Sequence, residues 1–153
     1  MKVCLGGTFY PLHKGHKELL RKAFQIAGSQ GFVFIGLTTS TLIKKKEPIA
    51  SFEKRKFALE QFIEREHVLP QVSIQPLTNK YGPALLGDFD AIVVSPETES
   101  TAVEINQKRT ALGKQLLQVF VIPFVLSEDG KPISSTRIRR NEIDENGRKI
   151  HRD

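Results

Sequence analysis

Two histidines three residues apart, His13 and His16, flank Gly15 shortly after a β-leaning run that ends in Gly6-Gly7. Each residue type in this stretch has a use at a phosphate. Gly6 and Gly7 carry no Cβ, so a ligand can approach the backbone closely, and Thr8 offers a hydroxyl. A helix opening at Gly15 presents unpaired N–H groups and the positive end of its dipole to an anion. Histidines at this spacing share one side of the helix start and can aim ring N–H groups at the same charge. A metal pair is the rival reading, but helical metal-binding histidines are spaced i,i+4 with an adjacent glutamate, which is missing here. The spacing therefore predicts a phosphate site after the first strand.

A second cluster lies far along the chain: Pro132-Ile133-Ser134-Ser135-Thr136-Arg137-Ile138-Arg139-Arg140. Ser134 or Ser135 can cap a short helix whose first N–H groups face an anion. Arg137 and Arg140 share a face and carry fork-shaped donors suited to phosphate oxygens. Alone, this segment reads equally well as a capped, solvated basic helix. Lys44-Lys45-Lys46 forms a third cationic run, by default a solvated loop. Tyr81, Leu85 and Leu86 are apolar candidates for a ligand channel or for packing.

The elements that must position these residues alternate in type. Residues 3–5, 32–39, 72–77, 91–94 and 119–126 read as strands, the second and fourth almost continuously apolar, as in a sheet covered on both faces. Residues 15–27 have Leu19, Leu20, Ala23, Phe24 and Ala27 at helical spacing, with Gly28 as the stop. Ser51 is an N-cap for a helix whose apolar side holds Phe52, Phe57, Ala58, Leu59, Phe62 and Ile63. Residues 81–86 form a loop or short helix. Residues 98–112, stopped by Gly113, form another helix, and Pro123 makes the last strand irregular. Strands alternating with helices predict an α/β fold, a single doubly wound, Rossmann-like domain over residues 1–153 with a five-stranded parallel sheet and a flexible last few residues. Such sheets bind ligands beyond the carboxyl ends of their strands, which is where the distinctive residues fall.

Composition narrows the function classes. At 153 residues the chain suits one domain, and its 39% hydrophobic and 26% charged content is that of a globular protein. One cysteine, Cys4, excludes an internal disulfide and reads as a small core residue. No segment approaches the roughly 20 apolar residues of a membrane span, and the N-terminal apolar run is too short for a signal peptide, so a cytoplasmic protein without a membrane partner is expected. The net charge of +6, from 23 Lys and Arg against 17 Asp and Glu, fits nucleic acid, an acidic surface or a polyanionic small molecule. No tryptophan, only Tyr10 and Tyr81, and no recognisable binding motif leave a basic nucleic-acid-binding domain as the remote alternative.

Gly7-Thr8-Phe9 followed by Pro11-Leu12-His13-Lys14-Gly15-His16 resembles the signature of the HxGH nucleotidyltransferase superfamily, and residues 133–139 resemble its second signature, Ile-Ser-Ser-Thr-x-x-Arg. That spacing favours Arg139 as the signature arginine, with Arg140 the other match. Over essentially the whole chain, including Val93 to Thr98 and Glu128 to Arg137, the sequence looks like the archaeal branch of the phosphopantetheine adenylyltransferases. The resemblance implies transfer of the adenylyl group of ATP to 4′-phosphopantetheine, giving dephospho-coenzyme A and pyrophosphate. It implies catalytic roles for His16, Thr8 and one lysine of 44–46, taken as Lys44. It implies ATP contacts from Gly7, Thr8, His13, Gly15, His16, Ser134, Ser135, Thr136, Arg137, Arg139 and Arg140, and acceptor contacts from Thr8, Lys44 and Tyr81. Mg²⁺ accompanies ATP, held through the phosphates rather than by a protein cage, and the protein is expected to be a monomer. Two departures stand out. Tyr10 replaces the superfamily's usual aspartate, and the arginine-bearing loop after the fourth strand of the bacterial branch is absent, with Ser95-Pro96-Glu97 in its place and Lys108 or Arg109 as possible substitutes. A sister transferase using CTP or a nicotinamide mononucleotide acceptor is the nearest alternative.

Overall fold

The computed structural model describes residues 1–43 and 48–150. Lys44, Lys45 and Lys46, and the last three residues expected to form a tail, lie outside the described residues. Five parallel strands run in chain order β1 (Lys2–Gly7), β2 (Phe32–Thr38), β3 (Gln71–Leu77), β4 (Ala91–Val94) and β5 (Gln118–Val121). Between them stand α1 (Lys14–Ala27), α2 (Phe52–Arg65) and α3 (Glu99–Ala111), and α4 (Ser135–Arg139) follows β5. The sheet order is β3-β2-β1-β4-β5, so the direction of winding reverses between β1 and β4. That is the doubly wound arrangement the alternation predicts.

The period of two along the strands explains how one sheet supports two cores. Val3 and Leu5, Val33, Ile35 and Leu37, and Ala91 and Val93 all face α1 and α2, where Leu20, Ala23, Phe24, Leu59 and Phe62 close over them. Cys4, Ile92 and Val94 face the other way and meet Ala102 and Ile105 of α3. The Cys4 thiol is buried, and desolvation pushes its pKa up to about 12, so it behaves as the core residue expected of it.

Beyond shifts of one or two residues at element ends, two features differ from the sequence expectation. The fifth strand stops at Val121 rather than running to Leu126. Ile122 N still donates to Val94 O at 2.8 Å, but Pro123 has no N–H to continue the ladder, and the chain leaves the sheet. Phe57 lies on the solvent side of α2 and is 61% exposed, while Arg55 takes a place on the buried stripe with Phe52, Leu59 and Phe62. Ser51 caps α2 as expected, its Oγ accepting from Lys54 N at 3.3 Å.

The crevice that positions the site follows from the sheet. Strand β1 pairs with β2 through all six residues from Lys2 to Gly7, but with β4 only at Val3 and Cys4. Beyond Cys4 the two strands part, so Gly6 and Gly7 face an opening on the β4 side. Beyond β5 the chain turns at Asp129-Gly130, forms α4, and folds back as far as Ile150 through two isolated antiparallel bridges, Leu126 with Pro132 and Ile143 with Lys149. Ile133 and the fully buried Ile143 anchor this C-terminal segment. Among the described residues, no helix is long and apolar enough to cross a membrane.

Candidate active site

His13 is the N-cap of α1, and its conformation accounts for the spacing seen in the sequence. Its Nδ1 accepts from Gly15 N at 3.0 Å and from His16 N at 3.3 Å, while His13 N donates to His16 Nδ1 at 3.3 Å. The two histidines thus form a reciprocal capping box, a job usually given to Ser or Thr with Glu. Their rings stack with centroids 3.7 Å apart and planes 18° from parallel. Glycine is required at position 15 because a Cβ there would lie 2.8 Å from His13 Cε1 and 3.0 Å from Nδ1.

This geometry sets the protonation of both rings. A nitrogen that accepts an N–H bond carries no proton, so each neutral imidazole holds its proton on Nε2. Burial lowers the His13 pKa to about 4. His16 falls to about 3, mainly by desolvation and further by the neighbouring His13, with the Pro11 backbone partly opposing. Both rings are therefore neutral donors at physiological pH. Among the described residues no buried side-chain nitrogen or oxygen lacks a partner, and His13 Nε2, which no protein group holds, accordingly reaches solvent.

The helix start itself differs from the expectation of open amides. Gly15 N and His16 N are taken by His13 Nδ1, and Lys14 N donates to Glu145 O at 2.9 Å. The first-turn N–H groups are thus satisfied within the protein, and the donors presented beyond the strand are the histidine side chains rather than a bare helix end.

Thr8 sits at the end of β1, where its Oγ1 accepts from Thr38 Oγ1 at 3.0 Å. Behind both lies Arg55, which is 3% exposed. Its Nε donates to Ala50 O at 2.8 Å, Nη2 to Thr38 O at 2.8 Å, and Nη1 to Thr8 O at 3.2 Å and Thr38 Oγ1 at 3.4 Å. Burial lowers the guanidinium pKa, with Glu53 opposing. Neither Arg55 nor Thr38 belongs to a motif visible in the sequence. The legible signal was an arginine on the apolar stripe of α2, one turn after Phe52.

The far segment reaches the first loop. Ser134 caps α4, its Oγ accepting from Arg137 N at 3.2 Å, and Ser135 and Thr136 form the first turn. Arg139 extends back across the molecule, Nη1 donating to Tyr10 O at 3.1 Å, with Nη2 3.5 Å from Thr136 Oγ1. Residues separated by 129 positions in the chain are thereby joined. Tyr10, the departure from the superfamily pattern, contributes its carbonyl to this bridge. Arg137 instead points into its own segment, pairing with Asp129 and with Glu142 (Nε–Oε2 3.0 Å) and donating to Ser127 Oγ at 3.0 Å. Hydrogen bonds from Ser127 and Arg137 hold the Asp129 carboxyl far below the usual carboxylate range. The segment's two signature-region arginines at 137 and 139 are thus divided between bracing the loop and facing the histidine loop. Arg140 lies at the end of α4 on the exposed side.

A cavity of about 220 Å³ opens where β1 and β4 part, beside Gly6 and Gly7, walled by Leu77, Tyr81, Val94 and Ile105. Tyr81 lines it, whereas Leu85 and Leu86 do not, and Leu86 is exposed. The Tyr81 hydroxyl donates to Glu104, which also pairs with Lys80 at 2.8 Å and raises the tyrosine pKa. Lys108 Nζ lies 5.5 Å from the Tyr81 ring centroid. Arg109 is buried and donates to the carbonyls of Ala84, Leu85, Gly87 and Gln115, so it braces the turn before β4 and α3 and does not stand in for the missing arginine loop.

Residues 4–141 match the model of the cytidylyltransferase-like family. The chain is 46% identical over 149 residues to a phosphopantetheine adenylyltransferase of Methanosarcina barkeri, covering 96% of this chain and 91% of that protein. It is 42% identical over 148 residues to the phosphopantetheine adenylyltransferase of Archaeoglobus fulgidus, covering 96% and 98%. A crystal structure of a protein from Archaeoglobus fulgidus superposes with a TM-score of 0.71 at 38% identity, covering 80% of this chain and 89% of that one.

Proposed function

Because the chain belongs to the cytidylyltransferase-like family, we propose that it is an adenylyltransferase that joins the adenylyl group of ATP to 4′-phosphopantetheine, forming dephospho-coenzyme A and pyrophosphate. The observation that carries the phosphate chemistry is the convergence of two distant segments, with Arg139 of α4 bonded to Tyr10 of the histidine loop. The choice of acceptor is supported by relatives more than 40% identical over nearly the whole chain, named for that activity. An apolar cavity beside Gly7, where β1 and β4 part, suits the uncharged arm of such an acceptor.

The acceptor phosphate attacks the α-phosphorus in line, with Thr8 holding it by its hydroxyl. That phosphate is already an anion, so the reaction needs no strong general base and no covalent intermediate on the protein. Catalysis is positioning plus stabilisation of charge growing on the leaving pyrophosphate. His16 Nε2–H donates at the reacting centre and His13 Nε2–H at the β- and γ-phosphates. Gly7 and Gly15 keep the backbone clear of Cβ atoms. Ser134, Ser135, Thr136, Arg139 and Arg140 hold the triphosphate, while Arg137 braces their loop. A lysine of 44–46 completes the grip, Lys44 being the one assigned. Mg²⁺ enters as part of the Mg·ATP substrate. An ion held through phosphates and water needs no acidic protein cage. The protein acts in the cytoplasm as a monomer.

Incubation with Mg·ATP and, separately, 4′-phosphopantetheine or nicotinamide mononucleotide, with pyrophosphate release followed continuously, tests the assignment. Release with phosphopantetheine alone is expected. Release only with the mononucleotide, or with CTP replacing ATP, overturns it.

A further inference from the structure

We propose that Arg55 is a positioning residue, which through Thr38 turns the Thr8 hydroxyl proton outward toward the substrate phosphate; this rests on the reading of Thr8 as the group that meets that phosphate. The argument is one of hydrogen-bond direction. A guanidinium has donors and no acceptor. Thr38 Oγ1 accepts from Arg55 Nη1 at 3.4 Å, so its own proton is directed elsewhere, and it donates to Thr8 Oγ1 at 3.0 Å. Thr8 Oγ1 is therefore an acceptor toward Thr38, and the single proton of this half-buried residue is left for another partner. Without this polarity a threonine hydroxyl rotates among its partners, and a phosphate would have to compete with Thr38 for the proton.

The same guanidinium fixes the backbone that carries the pair. Its bonds to Thr8 O, Thr38 O and Ala50 O clamp the end of β1, the end of β2 and the entry to α2 to one rigid plane. All four of its acceptors are neutral oxygens. Among the described residues, an influence of opposite sign comes from Glu53, an exposed residue in the first turn of α2. Among the described residues no carboxylate bonds to this buried cation, which leaves positive potential behind Thr8, where an incoming phosphate dianion benefits from it.

Removing Arg55 strips three carbonyls of their partner and threatens the fold, so Thr38 carries the test. Thr38→Val keeps the side-chain shape and deletes only the relay hydroxyl, while Thr38→Ser restores that hydroxyl. Steady-state kinetics with Mg·ATP and 4′-phosphopantetheine are combined with titration of inorganic phosphate, followed at the Thr8 amide by NMR. Thr38→Val is expected to raise the acceptor KM and the phosphate Kd about tenfold, the order of one hydrogen bond to a charged group, with ATP KM changed less than about twofold. Thr38→Ser is expected to return both to within about twofold of the parent protein. Unchanged values in Thr38→Val, equal losses in Thr38→Ser, or no phosphate-induced shift at Thr8 in the parent protein would each overturn the relay. If the parent makes no dephospho-coenzyme A, the acceptor assignment falls, while the phosphate titration still decides the relay.

Discussion

The histidine pair performs two tasks that are usually separate: each ring closes the start of α1 through Nδ1 and is left with Nε2–H as a neutral donor. Protonation would place a second proton on Nδ1 and break the cap, and burial holds both pKa values low. The consequence for stability has a definite sign. In the unfolded chain a histidine titrates near 6.5, so between pH 6.5 and about 4 the unfolded state binds more protons than the folded one, and stability falls as pH falls through that window. His13→Asn replaces the accepting ring nitrogen with a side-chain oxygen suited to an N-cap and cannot titrate. Thermal denaturation at pH 7 and pH 5 should therefore show a smaller Tm difference in this variant than in the parent, although the lost ring donor lowers activity. His16→Ala should reduce kcat by at least about 10²-fold, the order found for deleting one preorganised oxyanion donor, with the circular dichroism spectrum retained. A near-parental rate would remove His16 from the chemistry.

At the scale of elements, periodicity alone made most of the architecture legible. The continuous apolar runs at 32–39 and 91–94 belong to strands covered on both faces, and the stripe of Leu20, Ala23, Phe24 and Ala27 is the buried side of α1. The final strand was read too long, because hydrophobicity continues past the proline that ends the ladder. What periodicity hid were the arginines it should have exposed. Arg55 follows Phe52 by three and precedes Leu59 by four, and on α3 Arg109 follows Ile105 by four and Ala102 by seven. A charge on a buried stripe must be met by acceptors, and here these are backbone carbonyls of neighbouring turns. Arg109→Met should therefore cost about 3 kcal/mol, since it orphans carbonyls at Ala84, Gly87 and Gln115. Chemical denaturation measures this directly, and a change below about 0.5 kcal/mol would mean that water satisfies those groups.

Across the whole molecule, function depends on how the C-terminal segment returns to the sheet. Glu145 O closes the start of α1, Arg139 meets Tyr10, and Gly147, at φ 81°, lets the chain pass against Ile133 and Ser127 where a Cβ would lie 2.7 Å from the Ile133 side chain. None of these long-range contacts was readable from local pattern. The two signatures pointed to a common ligand, and the spacing of the second favoured Arg139 as its arginine, but nothing in it told that Arg137 braces the loop. The structure separates them, and kinetics should do the same. Arg139→Met should raise the ATP KM by about tenfold or more, as for loss of one charge-assisted hydrogen bond, with little change in Tm. Arg137→Met should lower the Tm more than Arg139→Met does, since it leaves Asp129 without its cationic partner. The most direct test of the convergence is a crystal structure with a non-hydrolysable ATP analogue and 4′-phosphopantetheine. His16 Nε2 and the Arg139 guanidinium contacting one and the same triphosphate is the predicted result, and a triphosphate touching only one of the two segments would contradict the account.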